Sequence, residues 1–204
     1  MLQYLVFVGA AVNLWGAFAY IKDTLYGKTR PNRVTWLLWA VAPAIGVTAA
    51  LTKGVGWAVL PVFMAGFGPL LVFICSFINK NAYWQLTLLD YGCGFLSLLA
   101  LVLWAVTKEP NVAILLAILS DALAALPTLV KSWTDPETES SISFTTGFIN
   151  AATSLFAVKL WNFSELAFPV YLMSVCLLLV IFIERKRFYR LIKNSPAKIN
   201  PPPR

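Results

Sequence analysis

The sequence predicts an all-α integral membrane protein with seven transmembrane helices, arranged as two parallel three-helix repeats joined by a linker helix. Three observations favour this fold class: an apolar composition, long apolar runs between short polar clusters, and a duplicated residue pattern. Of 204 residues, 59% are hydrophobic and 12% are charged, whereas soluble domains carry about 25% charged residues. The mean hydropathy is +0.75. Since about 20 apolar residues suffice to cross a bilayer, the runs indicate membrane spans.

The duplicated pattern appears when the chain is shifted by 108 residues. Residues 13–36, NLWGAFAYIKDTLYGKTRPNRVTW, then align with residues 121–144, DALAALPTLVKSWTDPETESSISF. The shift pairs, without a gap, Asn13 with Asp121, Thr24 with Ser132, Trp36 with Phe144, and Pro61 with Pro169. A polar hairpin is expected between the apolar runs of each copy, and in the second copy it runs from Lys131 to Ser141. The chain is therefore predicted to contain a duplicated unit.

Seven apolar runs give the expected spans: Leu2–Ile21, Val34–Leu51, Trp57–Ile78, Tyr83–Val106, Val112–Val130, Ile142–Leu160 and Leu166–Ile183. The shift relates the first three spans to the last three and leaves the fourth unpaired. Three spans alone would invert the second copy in the membrane, so the extra crossing makes the repeats parallel, an arrangement known among secondary transporters. We expect a first repeat at 1–80, a linker helix at 81–108, a second repeat at 109–184, and a basic, proline-rich cytoplasmic tail at 185–204.

The orientation follows from the lysine and arginine residues in the loops, because cytoplasmic loops carry an excess of them. One side of the predicted topology has thirteen: Lys22, Lys28, Arg30, Arg33, Lys80, Lys131, Arg185, Lys186, Arg187, Arg190, Lys193, Lys198 and Arg204. The other side has three: Lys53, Lys108 and Lys159. The N-terminus is therefore expected outside and the C-terminus in the cytoplasm, with the protein integral to the plasma membrane. This orientation places the hairpins of both repeats on the cytoplasmic side.

The composition also excludes or disfavours several classes of protein. The runs are apolar all round rather than alternating, which excludes a β-barrel. The net charge of +7 comes from residues that flank spans, so we do not expect nucleic acid as a partner. There is no histidine, and the three cysteines show neither metal-ligand spacing nor a disulfide framework. Without a nucleophile–base pair, an enzyme is not expected, and neither is a cofactor or a metal.

Polar groups inside spans usually face a bundle interior or a water-filled cavity, because they are costly in lipid. Residues near the middle of the predicted spans are therefore the candidate substrate-binding residues: Asn13, Asp121, Asn150, Ser174, Cys176, Gly66 and Gly68. Asn13 and Asp121 are paired by the repeat, so both should lie at comparable depth. A polar layer built by both repeats is what a midplane substrate site requires.

Asp121 carries the sharpest functional hypothesis. An apolar environment disfavours the charged form of a carboxyl group, which suits proton coupling. The alternatives are a position closer to the outer mouth and a structural hydrogen bond to Ser120 or Asn13. Pro43 and Pro127 are the candidate hinges, since proline removes a backbone donor and kinks a helix; a static kink is the other interpretation.

The arrangement resembles the SWEET sugar transporters and the wider PQ-loop superfamily. The resemblance covers residues from about 5 to 185, and its most specific local match is the segment LPTLVKS, Leu126 to Ser132, followed by the serine-rich start of the next helix at Ser140–Ser143. Pro127 is followed by Thr128 rather than glutamine, and the central positions of the third helices lack the asparagine with which SWEET members hold sugar. The resemblance implies a fold and an alternating-access cycle more directly than it implies a sugar.

The sequence thus predicts a membrane transporter that moves a small polar solute, sugar-like or amino-acid-like, by alternating access, with proton coupling as a variant. The alternative is a membrane receptor or assembly scaffold that uses a SWEET/PQ-loop-like fold without transport. Expected partners are the lipid bilayer and the solute, and the sequence leaves open whether the chain forms a homo-oligomer.

Overall fold

The computed structural model describes residues 5–52, 60–107, 109–158 and 161–193. Within these ranges the chain forms seven α-helices and no strand: α1 Leu5–Leu25, α2 Arg33–Thr52, α3 Leu60–Cys75, α4 Leu88–Val106, α5 Pro110–Thr134, α6 Ser141–Ser154 and α7 Phe163–Lys193. Short 3₁₀ helices occupy Lys80–Ala82, Pro136–Thr138 and Leu155–Ala157. The predicted all-helical class is confirmed for this part of the chain.

Four helical segments of the described chain are long and apolar enough to cross a membrane: Leu5–Leu25, Leu88–Val106, Asn111–Thr134 and Glu165–Phe188. Shorter apolar segments lie in α2, at Arg33–Ile45, and in α3, at Phe63–Cys75. Large apolar side chains also cover the outer faces of the helices, as on α4, where Phe95 is 68% exposed. Soluble monomers rarely expose continuous apolar surface, so these features are those of a membrane-embedded protein.

The helices pack in two groups of three. In the first group α3 packs against both α1 and α2, and in the second α7 packs against both α5 and α6. Between the groups, α1 lies along α6 and α2 contacts α5. The remaining helix, α4, packs mainly against α5 and also contacts α2. The contacts of α1, α2 and α3 are therefore repeated by α5, α6 and α7.

Two contacts at the starts of α2 and α6 follow the 108-residue shift. Arg33, the first residue of α2, donates from Nη2 to the carbonyl oxygen of Ser76 at 2.8 Å, just after α3. Ser141, the first residue of α6, donates to Oε1 of Glu184 in α7 at 2.5 Å. Ser141 and Glu184 are the positions that the shift pairs with Arg33 and Ser76. The same tertiary link is thus made by different side chains in the two groups.

The core lies where the two groups meet. Its buried residues come from six helices: Tyr20, Ile21, Trp36, Val72, Ala125, Phe144, Val175, Leu179 and Ile183. Trp36 of α2 lies between Tyr20 and Phe144, with ring centroids 4.7 Å and 6.3 Å away. Aromatic pairs at such separations add to the stability that comes from burial of apolar area. This aromatic layer holds α1, α2 and α6 together.

Specific residues end α1 and begin α2. Gly27 has a φ of 74°, a left-handed conformation that favours glycine, and its N–H bonds the Thr24 carbonyl at 3.0 Å. The Asn32 side chain then caps α2 by accepting from the N–H groups of Val34 and Thr35 at 3.1 and 3.3 Å. Such a cap satisfies backbone donors that have no partner within the helix. The loop between the two helices is therefore short and defined.

Asp90, the buried acid near the start of α4, makes structural contacts. Its carboxylate accepts hydrogen bonds from the Asn32 side chain and, at 2.7 Å, from the Thr87 hydroxyl. These bonds tie the start of α4 to the start of α2. Asp90 therefore connects α4 to the first group.

Several boundaries differ from the predicted spans. The hairpin expected to begin at Lys131 begins at Asp135, because α5 continues to Thr134. Pro136 then ends the helix, since a residue before proline disfavours the helical conformation. At the other end of the group, α7 continues to Lys193, so the expected tail at 185–204 begins as helix. Its residues 185–193 contain neither glycine nor proline and favour helix by intrinsic propensity.

Some predicted features lie outside the described residues. These are the start of the first span at Leu2, the start of the third at Trp57, the end of the sixth at Leu160, the three outer-side cations Lys53, Lys108 and Lys159, and the tail beyond Lys193.

Candidate functional site

A cavity of about 380 Å³ lies between the two groups of helices. Its walls come from α1, α2, α3, α4, α5, α6 and α7, and the lining is mostly apolar. The lining residues include Pro43, Trp104, Asp121, Asn150, Phe168 and Leu172. Pockets that bind small molecules are typically of this size and lined in this way, with few polar groups.

A second cavity of about 130 Å³ adjoins the first. Six residues line both cavities: Pro43, Ala65, Asp121, Asn150, Phe168 and Leu172. The smaller cavity also touches Asn13 and Trp39 and ends at the aromatic layer, at Trp36 and Phe144. The two cavities therefore form one continuous region that narrows toward the aromatic layer.

Asp121 lies where the two cavities meet. Its Oδ2 atom accepts a hydrogen bond from the Tyr171 hydroxyl at 2.8 Å, which fixes the carboxyl group between α5 and α7. The buried indole nitrogen of Trp39 lies close to the same carboxyl group. The Asp121 carboxyl, bonded to Tyr171 and approached by Trp39, therefore lines both cavities.

Asn13 and Asn150 bring two amide groups to the same region. Neither amide side chain makes a hydrogen bond to another residue that the structure describes. Gly9 of α1 lets Asn150 approach closely, since a Cβ atom at Gly9 would lie 3.1 Å from Oδ1 of Asn150. Both residues are half-buried, so the unpaired amides lie where water or a solute can supply the bonds.

The other predicted binding residues are placed differently. Cys176 and Gly68 line the smaller cavity. Gly66 lies against Pro43 instead, whose Cβ atom is 2.9 Å from where a Cβ on Gly66 would be. Ser174 is exposed on the outside of α7, where its hydroxyl donates to the Val170 carbonyl at 2.8 Å. The structure therefore brings together Asn13, Asp121, Asn150, Gly68 and Cys176, and leaves Gly66 and Ser174 outside both cavities.

The two predicted hinge prolines occupy different environments. Pro43 is inside α2 and lines both cavities. Pro127 is buried inside α5, away from the cavity walls and one turn before Lys131. Each proline lacks an N–H, so the carbonyl one turn earlier loses its usual helical partner. Both helices thus have a local weak point, and the one in α2 lies beside the cavities.

A buried ion pair, which the sequence did not indicate, lies beyond the aromatic layer. Lys131 Nζ and Glu139 Oε1 are 2.7 Å apart, with side chains 1% and 0% exposed. The Tyr20 hydroxyl donates to the other carboxylate oxygen of Glu139 at 2.6 Å, and Lys131 also bonds the carbonyl of Arg30. Trp84 covers the ammonium at 4.8 Å. This cluster closes the end of the bundle at which the α1–α2 and α5–α6 connections lie, here called the hairpin end.

Along α5, the residues that line the larger cavity come before the residues that form the closed end. Ile114, Ala117 and Asp121 line the larger cavity, and Thr128 and Lys131 follow toward the closed end. The Thr128 hydroxyl bonds that of Thr35 in α2 at 3.0 Å, linking the groups there. The cavities therefore lie on one side of the aromatic layer and the ion pair on the other.

The groups around the cavities can bind a small solute through hydrogen bonds. The described residues contain no group of three His, Cys, Asp or Glu side chains that could hold a metal ion. The cavity residues instead supply a carboxyl group, two amides and an indole N–H. No protein-family model, curated protein or solved structure matches this chain.

Proposed function

We propose that this protein is a membrane transporter that moves a small polar solute by alternating access. The observation that carries the proposal is the convergence of Asn13, Asp121 and Asn150 on adjoining cavities between two groups of helices. Polar groups inside an apolar bundle are costly in lipid and usually mark a substrate or ion pathway. The solute would bind among these three side chains, with proton coupling through Asp121 as a variant.

The proposed architecture is seven membrane-spanning helices in a 3+1+3 arrangement of the SWEET/PQ-loop type. It is supported by the repeated helix contacts and by the equivalent links from Arg33 to Ser76 and from Ser141 to Glu184. Two parallel repeats with α4 as linker account for both. A site between repeats is common in transporters, because rocking of one repeat against the other exposes it alternately to each side.

The closed hairpin end supports an alternating-access cycle. Tyr20, Trp36 and Phe144 separate the cavities from the Lys131–Glu139 pair. Release of solute at that end requires these layers to part, and Pro43 and Pro127 lie in the helices that would bend. The described conformation is then one state of the cycle, with the hairpin end sealed.

The excess of positive residues at the hairpin end supports a cytoplasmic location for it and an external N-terminus. Reporter proteins that are active on only one side of the plasma membrane test this orientation when fused to either terminus. A cytoplasmic reporter active at the N-terminus would contradict it.

The transport proposal is tested by solute uptake into proteoliposomes that contain the wild type or Asp121→Asn. Sugars, amino acids and small cations are each supplied with and without a pH gradient. We expect uptake of one solute class by the wild type and its loss in the variant. Asp23→Asn is a matched control, because Asp23 lies outside the cavities and pairs with exposed Lys28 at 3.6 Å.

The receptor or scaffold alternative gives a different result. Folded wild-type protein would then support uptake of none of the solutes, and Asp121→Asn would alter only stability or capture of a partner.

Dependence of uptake on the pH gradient in the wild type alone would identify proton coupling.

A further inference from the structure

The charge of the cavity lining is unbalanced. Asp121 contributes a carboxyl group to both cavities, and no lysine or arginine is among the described residues that line them. The nearest buried ammonium in the described fold, that of Lys131, is already paired with Glu139 beyond the aromatic layer. A carboxyl group in such a site either takes up a proton or is accompanied by a cation. The lining itself supplies no cation for Asp121, so a cationic solute can take that place.

The remaining lining is apolar and aromatic. Phe168 lines both cavities, Trp104 lines the larger one, and Trp39 lines the smaller one. Aromatic faces attract cations, most strongly where water is excluded. They also accept an apolar body, which a hydroxyl-rich molecule does not offer. The lining is suited to a molecule that is both cationic and partly apolar.

We propose that the solute is a small organic monocation, in which an ammonium group is attached to an apolar body. The ammonium donates to Asp121 and to the side-chain oxygens of Asn13 and Asn150, while the body lies against Phe168 and the other aromatic rings. This inference rests on the proposed transport function, because it names the solute class of the same site.

The same features exclude related solutes. An amino acid also carries a carboxylate, which would face Asp121 with no lysine or arginine nearby to balance it. A sugar would surrender many hydrogen bonds to water and find few polar partners, which is costly for each unpaired hydroxyl. The ammonium group and the absence of a carboxylate are therefore the recognised features.

The test is equilibrium binding to purified wild-type protein in detergent, with four probes: phenethylamine, phenethyl alcohol, phenylalanine and glucose. The first two have nearly the same shape and differ in charge, and the third adds a carboxylate to the amine. Since a hydrogen bond to a charged group contributes about 1.5–3 kcal/mol, we expect the amine to bind about tenfold or more tightly than the alcohol. Phenylalanine and glucose should bind more weakly still.

Two variants assign the preference to the site. Asp121→Asn keeps the side-chain shape and an oxygen for Tyr171, and it should bind amine and alcohol equally. Asp23→Asn should retain the wild-type preference. Equal binding of amine and alcohol by the wild type would overturn the inference even if no variant folds, and so would tighter binding of phenylalanine than of the amine.

The transport proposal and the inference about the solute class can each be disproved without the other. Preferential amine binding without uptake would leave this inference standing and remove the transport proposal. Uptake of a neutral solute, with no preference for the amine, would do the reverse.

Discussion

Lys131 and Glu139 form an ion pair of 2.7 Å in which both side chains are shielded from solvent. Tyr20 of α1 bonds the same carboxylate, and the Arg30 carbonyl bonds the same ammonium. The pair therefore joins α5 and the α5–α6 connection to α1 and the α1–α2 connection. These two connections meet at one buried charge pair.

Removing one partner of this pair should be strongly destabilising. In Glu139→Gln the Lys131 ammonium stays buried without a negative charge, and such a loss costs about 3–5 kcal/mol. Thermal unfolding in detergent should show a large fall in midpoint. The double variant Lys131→Met with Glu139→Gln should recover much of it, because neither charge then remains buried. If Glu139→Gln were as stable as the wild type, the prediction would be wrong. The control is Asp23→Asn, which removes a charge from the more exposed pair with Lys28.

The close approach of α1 and α6 depends on Gly16. A Cβ atom at this position would lie 1.8 Å from Oγ1 and 2.7 Å from Cβ of Thr146, so Gly16→Ala must push the helices apart. Over-filling of this kind costs about 1–3 kcal/mol. Gly92→Ala in α4 is the matched control, since nothing lies within 4 Å of a Cβ there. The first variant should unfold at lower temperature and the second should not; equal midpoints would contradict this.

The sequence predicted the helices and the main polar residues that line the cavities, because both follow from local patterns. Apolar runs indicate helices that can span a bilayer, and polar residues near their centres indicate where a cavity needs lining. Asn13, Asp121 and Asn150 were found in this way, and the structure places all three around the smaller cavity.

The remaining features depend on how each helix is rotated and on contacts between distant segments. Ser174 lies only two residues before Cys176, yet it is exposed while Cys176 lines the smaller cavity. Depth in a span does not determine the direction in which a side chain points. Likewise, Lys131 was predicted to be a loop cation. Its buried cluster includes Tyr20 and Arg30, which are distant in the chain.

A hydroxyl pair links the two groups of helices near the closed end. Thr128 in α5 and Thr35 in α2 are hydrogen-bonded at 3.0 Å, and both are fully buried. A double-mutant cycle with Thr35→Val and Thr128→Val should give a favourable coupling energy of about 0.6 kcal/mol, typical of such bonds in membranes. The free energy of unfolding in detergent provides the measurement. A coupling energy of zero would show that the pair contributes no stability.

The amides of Asn13 and Asn150 should matter for solute and little for stability. Neither makes a hydrogen bond to another described residue, so Asn13→Ala and Asn150→Ala should unfold near the wild-type temperature. Each should weaken the apparent affinity for the transported solute by about three- to tenfold, the effect of one lost hydrogen bond.

Concentration-dependent uptake into proteoliposomes measures this effect. Ser174→Ala is the matched control, because Ser174 bonds its own helix on the exposed face of α7, and its uptake should equal that of the wild type. If Ser174→Ala impaired uptake as much as Asn150→Ala, the solute path would have to run along the outer face of α7. Unchanged affinity in both asparagine variants would remove the amides from the site and leave Asp121 as its polar group.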